Sequence, residues 1–500
     1  MTDLLSNLAL GFSTALSLQN TALAFVGCLV GTLVGVLPGV GPIATITMLL
    51  PVTFGLDPVG ALIMLAGIYY GAQYGGSTTA ILVNIPGEAT SVVTTMDGHQ
   101  MARQGRAGVA LGISAIGSFF AGCVATLTIA AMARPLTRLA LLFGPAEYFA
   151  LMAMGLAFAV VLARGSVLKA VGMVLAGVLL STVGTDLETG VERMTLGSTA
   201  LADGVDFAVL AMGLFGFAEV MRNLDQVEAR DVVARPIGRI LPSWQDLKQS
   251  LAPVLRGTVV GGALGILPGN GAVLGPFASY ALEKRLAKDP SRFGRGAIEG
   301  VAGPESANNA GAQTSFIPLL TLGIPPNAVM ALMVGAMTIH GIVPGPLVMT
   351  RSPALFWGMI ASMWVGNLML LVINLPLIGV WVRFLKVPYR LMFPAILVFC
   401  CIGIYSVGNA PSDVVLAAFF GLIGYGLSKL GFESAPLLLG YVLGRLMEEN
   451  LRRALVIGRG DLATFVHRPV SAAMLAVGLL VLLTAVLPAV SRGRQEIFTE

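Results

Sequence analysis

Three stretches of the chain, 59–83, 107–133 and 353–382, run without a single charged side chain. Each exceeds the roughly 20 apolar residues that carry an α-helix across the hydrocarbon core of a bilayer. Composition gives the same answer: 56% of the 500 residues are apolar and 11% are charged, against about 25% charge in a soluble domain. Too few polar side chains are present to cover a water-facing surface, so the solvent is lipid. The 62 glycines and 27 prolines show no collagen-like period and sit in chain far too apolar for low-complexity disorder. The chain reads as an all-α polytopic membrane protein.

The net charge of +4 is ordinary for membrane loops and gives no basis for nucleic-acid binding. Cys28, Cys123, Cys400 and Cys401 lie in apolar runs without CxxC spacing and read as small hydrophobes. Residues 1–20 hold one charge, Asp3, and lack the basic start of a cleaved signal peptide. There Leu4, Leu8, Phe12 and Leu16 recur at helical spacing, which predicts an interfacial helix. Apolar runs at 21–37, 42–56, 254–267 and 272–282 are too short to cross alone and fall in pairs around Pro-Gly breaks. About ten to twelve crossings are therefore expected, together with broken or re-entrant helices. The segment 222–253, with Arg222, Arg230, Arg235, Arg239 and Lys248, reads as a basic cytoplasmic linker. It separates a membrane repeat at 21–221 from a second at 254–468, and 469–500 supplies a final helix and tail.

The two halves resemble each other. Residues 31–41 (GTLVGVLPGVG) match 261–271 (GGALGILPGNG) without a gap at an offset of 230, with six of eleven positions identical. Ile85-Pro86 then answers Ile324-Pro325, Gly122 answers Gly366, and Pro145 answers Pro388, in order and at offsets of 239, 244 and 243. Such collinearity implies a duplication. The loop near Asp57-Pro58 carries no Lys or Arg, whereas its counterpart carries Lys284, Arg285, Lys288, Arg292 and Arg295. Arg164 and Lys169 likewise face 404–413, which carries no Lys or Arg. Opposite charge at equivalent loops favours inverted topology, although Arg134/Arg138 and Arg383/Lys386/Arg390 are basic in both halves.

Short interrupted segments at corresponding positions of two repeats are the sequence mark of a secondary transporter's binding site. Pro38, Gly39 and Gly41, and Pro268, Gly269, Asn270 and Gly271, break helices at membrane depth. Freed carbonyls there suit a small cation and half-helix N-termini suit an anion; helix kinks used only for packing are the plainer alternative. Ahead of the hairpin breaks at Pro86-Gly87 and Pro325-Pro326 lie two clusters of small polar side chains: Ser77, Thr78, Thr79 and Asn84, then Asn308, Asn309, Thr314 and Ser315. These neutral donors can hold carboxylates without the tight grip of arginine, or can simply bond helix to helix. Glu305 reads equally as ion ligand, proton carrier or helix-end residue. Asp97, His99 and Arg103 read as a surface loop, and Glu433, Glu448 and Glu449 as solvated charges. Three scattered histidines give no metal site, and no nucleophile–base pair points to an enzyme or to a bound cofactor.

Residues 35–42 (GVLPGVGP), 74–88 (YGGSTTAILVNIPGE) and 303–312 (GPESANNAGA) resemble the large membrane subunit of tripartite tricarboxylate transporters, a likeness that covers about 15–490. The resemblance implies a bacterial inner-membrane protein that works with a small membrane subunit and a periplasmic solute-binding protein. It further implies import of organic anions of the citrate, dicarboxylate or aromatic-acid kind, driven by a gradient of Na⁺ or, less favoured, H⁺. On this reading the Ser/Thr/Asn clusters hold the substrate, and carbonyls around Gly39–Gly41 and Gly269–Gly271 hold the cation beside Glu305. A stand-alone carrier or channel is the main alternative, and a membrane-embedded enzyme a weaker one.

Overall fold

The structure is a computed structural model that describes residues 2–37, 41–163, 166–186, 188–198, 201–225, 238–269, 271–385 and 389–486. It is 79% helical. The first half contains α1 (Thr2–Ala15), α2 (Leu18–Val36), α3 (Pro42–Thr53), α4 (Pro58–Val83), α5 (Val92–Arg103), α6 (Ala107–Ala140), α7 (Pro145–Leu162) and α8 (Val167–Ser181). A short antiparallel pair, β1 (Gly184–Thr185) and β2 (Glu192–Arg193), comes next, then α9 (Phe207–Ala211), which runs through a π-helical stretch into α10 (Ala218–Asp225). The second half contains α11 (Trp244–Gly265), α12 (Gly271–Leu286), α13 (Glu299–Thr314), α14 (Phe316–Leu322), α15 (Ala328–Ile339) and α16 (Val348–Arg351). It continues with α17 (Pro353–Asn374), α18 (Ile378–Phe384), α19 (Tyr389–Gly408), α20 (Pro411–Lys429), α21 (Ser434–Ile457), α22 (Thr464–His467) and α23 (Pro469–Val486).

Local chemistry sets these boundaries. Proline at the first helical turn opens α3, α4, α7, α17 and α20, where its missing N–H costs nothing. Asp57 caps α4 by accepting from the Val59 N–H. At its other end α4 stops at Asn84, in the left-handed region at φ 60°. A Ser243–Asp246 capping box starts α11 at Trp244, so the segment read as a linker is helical at its C-terminal end. Among the described residues, six helices are long and apolar enough to cross a membrane and six shorter apolar helices accompany them.

Among the described residues, two of the longer helices, α4 and α13, are buried along almost their whole length. Nearly every residue of α4 is buried, as the apolar run 59–83 allows. The second, α13, is buried along Gly300–Thr314 although it carries Glu305, Ser306, Asn308, Asn309 and Gln313. Polar side chains hidden in a membrane bundle are costly and mark function.

Glycine stripes bring these two helices against their partners. A Cβ on Gly27, Gly31 or Gly35 of α2 would lie 2.2, 2.3 and 2.4 Å from the carbonyl oxygens of Met64, Ile68 and Ala72 of α4. On α11, a Cβ on Gly257, Gly261 or Gly265 would lie 2.2, 2.0 and 2.3 Å from those of Gly303, Ala307 and Gly311 of α13. The spacing is the same in both pairs, and small residues at every fourth position are what let helix backbones touch. The N-terminal helix α1 lies against α17, with Phe12 stacked on Trp364 at 5.7 Å.

Two expectations about charge need correction. Asp97 belongs to α5 and is fully buried: it accepts from the Tyr280 hydroxyl (2.9 Å) and from the N–H groups of Gly296 and Ala297 (both 2.8 Å). Glu448 is not a lone solvated charge either. It accepts from Arg193 and Arg452 at 2.7 Å, and Arg452 also bonds Asp186 at 2.7 Å, so the β1–β2 hairpin is clipped to α21.

Gly31→Val and Gly261→Val are expected to lower stability by about 1–3 kcal/mol each through overpacking. Gly172→Val, where a Cβ would meet nothing within 4 Å, should leave thermal unfolding in detergent unchanged. The Arg452 hydrogen bond holds the Asp186 carboxyl well below the usual carboxylate range. Its stabilising contribution is therefore complete above the ordinary Asp pKa of about 4 and is lost as pH falls below that value. Thermal unfolding against pH should show an acid-side decline that Asp186→Asn makes shallower.

Candidate functional site

A cavity of about 700 Å³ lies where the helix breaks of the two halves meet, a size that suits a small-molecule ligand. The starts of four helices line it: Gly41–Ala44 of α3, Ala272 and Val273 of α12, Asn327–Val329 of α15, and Glu433–Ala435 at α21. The first turn of a helix leaves N–H groups without intrahelical partners and carries partial positive charge. Four such ends around one space favour an anion. The remaining polar lining is Tyr69, Gln73, Glu88 and Thr90, with the Glu219–Arg222 ion pair and Ser428 also on the wall.

Glu88 and Asn327 hold equivalent places. Each follows its Ile-Pro break by the same count, and each is the N-cap of the next helical turn with nearly identical backbone, φ −154° and ψ 173° against φ −152° and ψ 174°. Asn327 Oδ1 accepts from the Met330 N–H at 2.9 Å, and its Nδ2 donates to Ser315 Oγ at 3.2 Å. Thr90 donates to Gln73 Oε1 at 2.9 Å. Glu88 Oε1 is buried and has no hydrogen-bond partner.

The breaks are pinned to one another. The Gly269 N–H donates to the Pro326 carbonyl at 2.9 Å. Gly269 has φ +90°, and a Cβ there would lie 2.3 Å from the Phe158 backbone of α7, so only glycine fits. Gly87 sits equally tightly, 2.4 Å from the Gly35 carbonyl by the same measure. Pro86 and Gly87 line the cavity with Gly41, Pro325 and Pro326 are buried, and Gly271 opens α12. Pro268 lies against Gly155 of α7. Pro38, Gly39 and Asn270 lie outside the described residues.

The small polar clusters gather behind this cavity. Ser77 of α4, Thr94 of α5 and Ser114 of α6 all donate to the Glu305 carboxylate, Ser77 at 2.5 Å and Ser114 at 2.9 Å. Asn309 donates to Ser118 Oγ at 2.7 Å and to the Glu305 carbonyl at 3.2 Å. Thr79 reaches the carbonyls of Gly35 and Val36 at the end of α2. Ser315 bonds the Gly311 and Gly265 carbonyls, and Thr314 those of Ala310 and Gly311. Thr78 bonds the Tyr74 carbonyl and faces a small crevice. Asn308 is 1% exposed and its amide makes no hydrogen bond. Asn84 is the exposed C-cap of α4. The structure thus brings Ser77, Glu305 and Asn309 together and links Ser315 to the cavity through Asn327. Sequence reasoning did not single out Tyr69, Gln73, Glu88, Thr90 and Asn327. The signal for two of them was available, because the 239-residue offset between the Ile-Pro breaks maps Glu88 onto Asn327.

Broken helices, an anion-favouring cavity and buried polar helices inside an apolar bundle define a multi-pass membrane transporter. Residues 22–439 match the Tripartite tricarboxylate transporter TctA family, and the chain belongs to that family. A protein of Agrobacterium vitis described as "Uncharacterized 52.8 kDa protein in TAR-I ttuC' 3'region" is 58% identical over 500 residues, 100% of both chains. Another from the same organism, "Uncharacterized protein in TAR-II ttuC' 3'region", is 59% identical over 240 residues, 48% of this chain and 99% of its own length. No solved structure matches.

Asn327 separates cap from charge. Asn327→Asp keeps an acceptor for the Met330 N–H but loses the donation to Ser315 and adds a negative charge at a buried position of the cavity wall, so it should lower stability and should lower transport of an anionic solute at least tenfold. Asn327→Ala should cost about 1 kcal/mol of stability through the lost cap. Thermal unfolding and uptake, measured on both variants, check the pair.

Proposed function

We propose that this chain is the large transmembrane subunit of a binding-protein-dependent secondary transporter that imports tricarboxylates or related organic anions across the bacterial inner membrane. A small membrane subunit completes the membrane part, and a periplasmic binding protein delivers the solute. The observation that carries this reading is the convergence of four helix N-termini, from both halves of the chain, on one 700 Å³ cavity. Neutral donors and helix ends hold several carboxylates weakly enough to release them, as a carrier requires. Glu88 and the Glu219 side of the wall disfavour a carboxylate that arrives without a compensating cation, so symport fits the lining better than anion uniport. Na⁺ is favoured over H⁺.

A duplication supports the mechanism. Equivalent glycine stripes, N-caps and Pro-Gly breaks at offsets of 230 and 239 fit two repeats of inverted topology around a central site, and alternating access would expose the cavity to each side in turn.

The test is uptake of a labelled carboxylate panel into proteoliposomes. They contain this subunit and its small partner, with or without the cognate binding protein, under imposed Na⁺ or H⁺ gradients. Uptake that requires both the binding protein and a Na⁺ gradient is the expected result. Gradient-driven uptake without any binding protein would make the chain a self-sufficient carrier and overturn the tripartite reading.

A further inference from the structure

Five carboxylates are buried among the described residues, and four of them have their charge met in an ordinary way. Glu147 bonds Arg468 at 2.6 Å, Asp186 bonds Arg452 at 2.7 Å, and Glu283 bonds Arg256 at 2.7 Å. Asp97 takes two backbone N–H groups and a tyrosine hydroxyl. Glu305 is different. It is 0% exposed, and its carboxylate meets only the hydroxyls of Ser77, Thr94 and Ser114, with no ion pair. A buried carboxylate without a counter-charge is strongly disfavoured, so this position calls for a proton or a cation.

Beside it is room for one. A crevice of about 10 Å³ is lined in equal parts by polar residues (Tyr74, Thr78, Ser114 and Asn374) and by apolar ones from α6 and the end of α17 onward, close to the smallest space that holds a single water. Ser114, which donates to Glu305, forms part of its wall. Two oxygens of residues in that wall, Tyr74 Oη and Asn374 Oδ1, are buried without a hydrogen-bond partner, in residues only 4% and 5% exposed. Unpaired buried oxygens call for a ligand. The chemistry of the set is four neutral oxygens with a carboxylate one hydroxyl behind them. Hard monovalent cations are held by oxygen ligands of this kind, and a space this small admits such an ion only after it sheds its water. A proton would need the carboxylate alone and would leave the other oxygens unexplained.

We propose that the crevice lined by Tyr74, Thr78, Ser114 and Asn374, with Glu305 behind Ser114, is where this protein carries a dehydrated sodium ion. The proposal rests on the reading of the chain as a cation-coupled carrier and moves the ion away from the Pro-Gly breaks, whose described ends present helix N-termini and so suit an anion.

The test uses purified protein in detergent, with thermal unfolding followed while NaCl replaces choline chloride at constant ionic strength and KCl serves as the size control. Wild type should show a saturable rise in melting temperature with Na⁺ and none with K⁺. Glu305→Gln should abolish the rise. Tyr74→Phe removes one hydroxyl that has no hydrogen-bond partner, so it should melt with wild type in choline and need at least tenfold more Na⁺ for half of the rise. Should Glu305→Gln fail to fold, Tyr74→Phe still decides. Wild type that responds alike to Na⁺ and choline, or variants that titrate at the wild-type midpoint, would overturn the site. A melting temperature that follows pH and ignores Na⁺ would assign Glu305 to a proton and overturn it too. The carrier reading fails separately: a Na⁺ rise lost in both variants, with no uptake under any gradient, supports the site and removes symport. Na⁺-driven uptake at wild-type rates in Glu305→Gln removes the site and leaves symport standing.

Discussion

Helix backbones touch along two glycine stripes, and the placement of every polar group at the centre of this protein depends on that contact. Lipid offers helices no hydrophobic reason to associate, so association rests on close packing and a few hydrogen bonds. Glycine at each fourth position of α2 and α11 removes the side chains that would hold α4 and α13 away. Contact between backbones multiplies small dispersion terms over several turns, and it fixes rotation as well as distance. With one face of α4 held on α2, Gln73 is directed to the cavity wall and Ser77 to Glu305. A side chain larger than hydrogen at any of these glycines would push the helix outward and move both groups together.

What could be read from the sequence is what acts locally. Prolines at first turns and Asx caps determine where α3, α4, α7, α17 and α20 begin through their own backbone chemistry. Rotation of a helix within a bundle is another matter, because it is decided by neighbours far away in sequence. Ser77, Thr78 and Thr79 are consecutive and share one composition, yet they bond Glu305, the Tyr74 carbonyl and the end of α2 respectively. Nothing local distinguishes them. Asp97 misleads for the same reason: its helix α5 is weakly apolar and reads as loop, and the groups that bury it, Tyr280, Gly296 and Ala297, lie nearly two hundred residues on. Glu88 and Asn327 are the intermediate case. Each looks like an ordinary residue after a proline, but their shared offset and shared N-cap geometry make them a pair.

The two proposed ligands would carry opposite charge and sit on opposite sides of a single stretch of helix. Along 73–79 of α4, Gln73 lines the cavity, Ser77 holds Glu305, Thr78 lines the crevice, and Thr79 ties the segment to α2. Gly76 lies between them, where a Cβ would come 3.3 Å from Glu88 Cγ. An ion that neutralises Glu305 therefore removes a negative charge from just behind the wall that receives an anion, and the low dielectric of the bundle makes that change count at this range. Coupling of this kind needs no long pathway. It needs one rigid segment whose two faces see the two ligands, held by the glycine contact so that neither face can move alone. Thr94 and Ser114 reach the same carboxylate from α5 and α6, while Glu305 itself belongs to α13 in the other half of the chain. Loading the ion would thus tighten the join between the halves that the proposed alternating-access motion would part or slide, which favours movement of the loaded or wholly empty site over movement with one ligand missing.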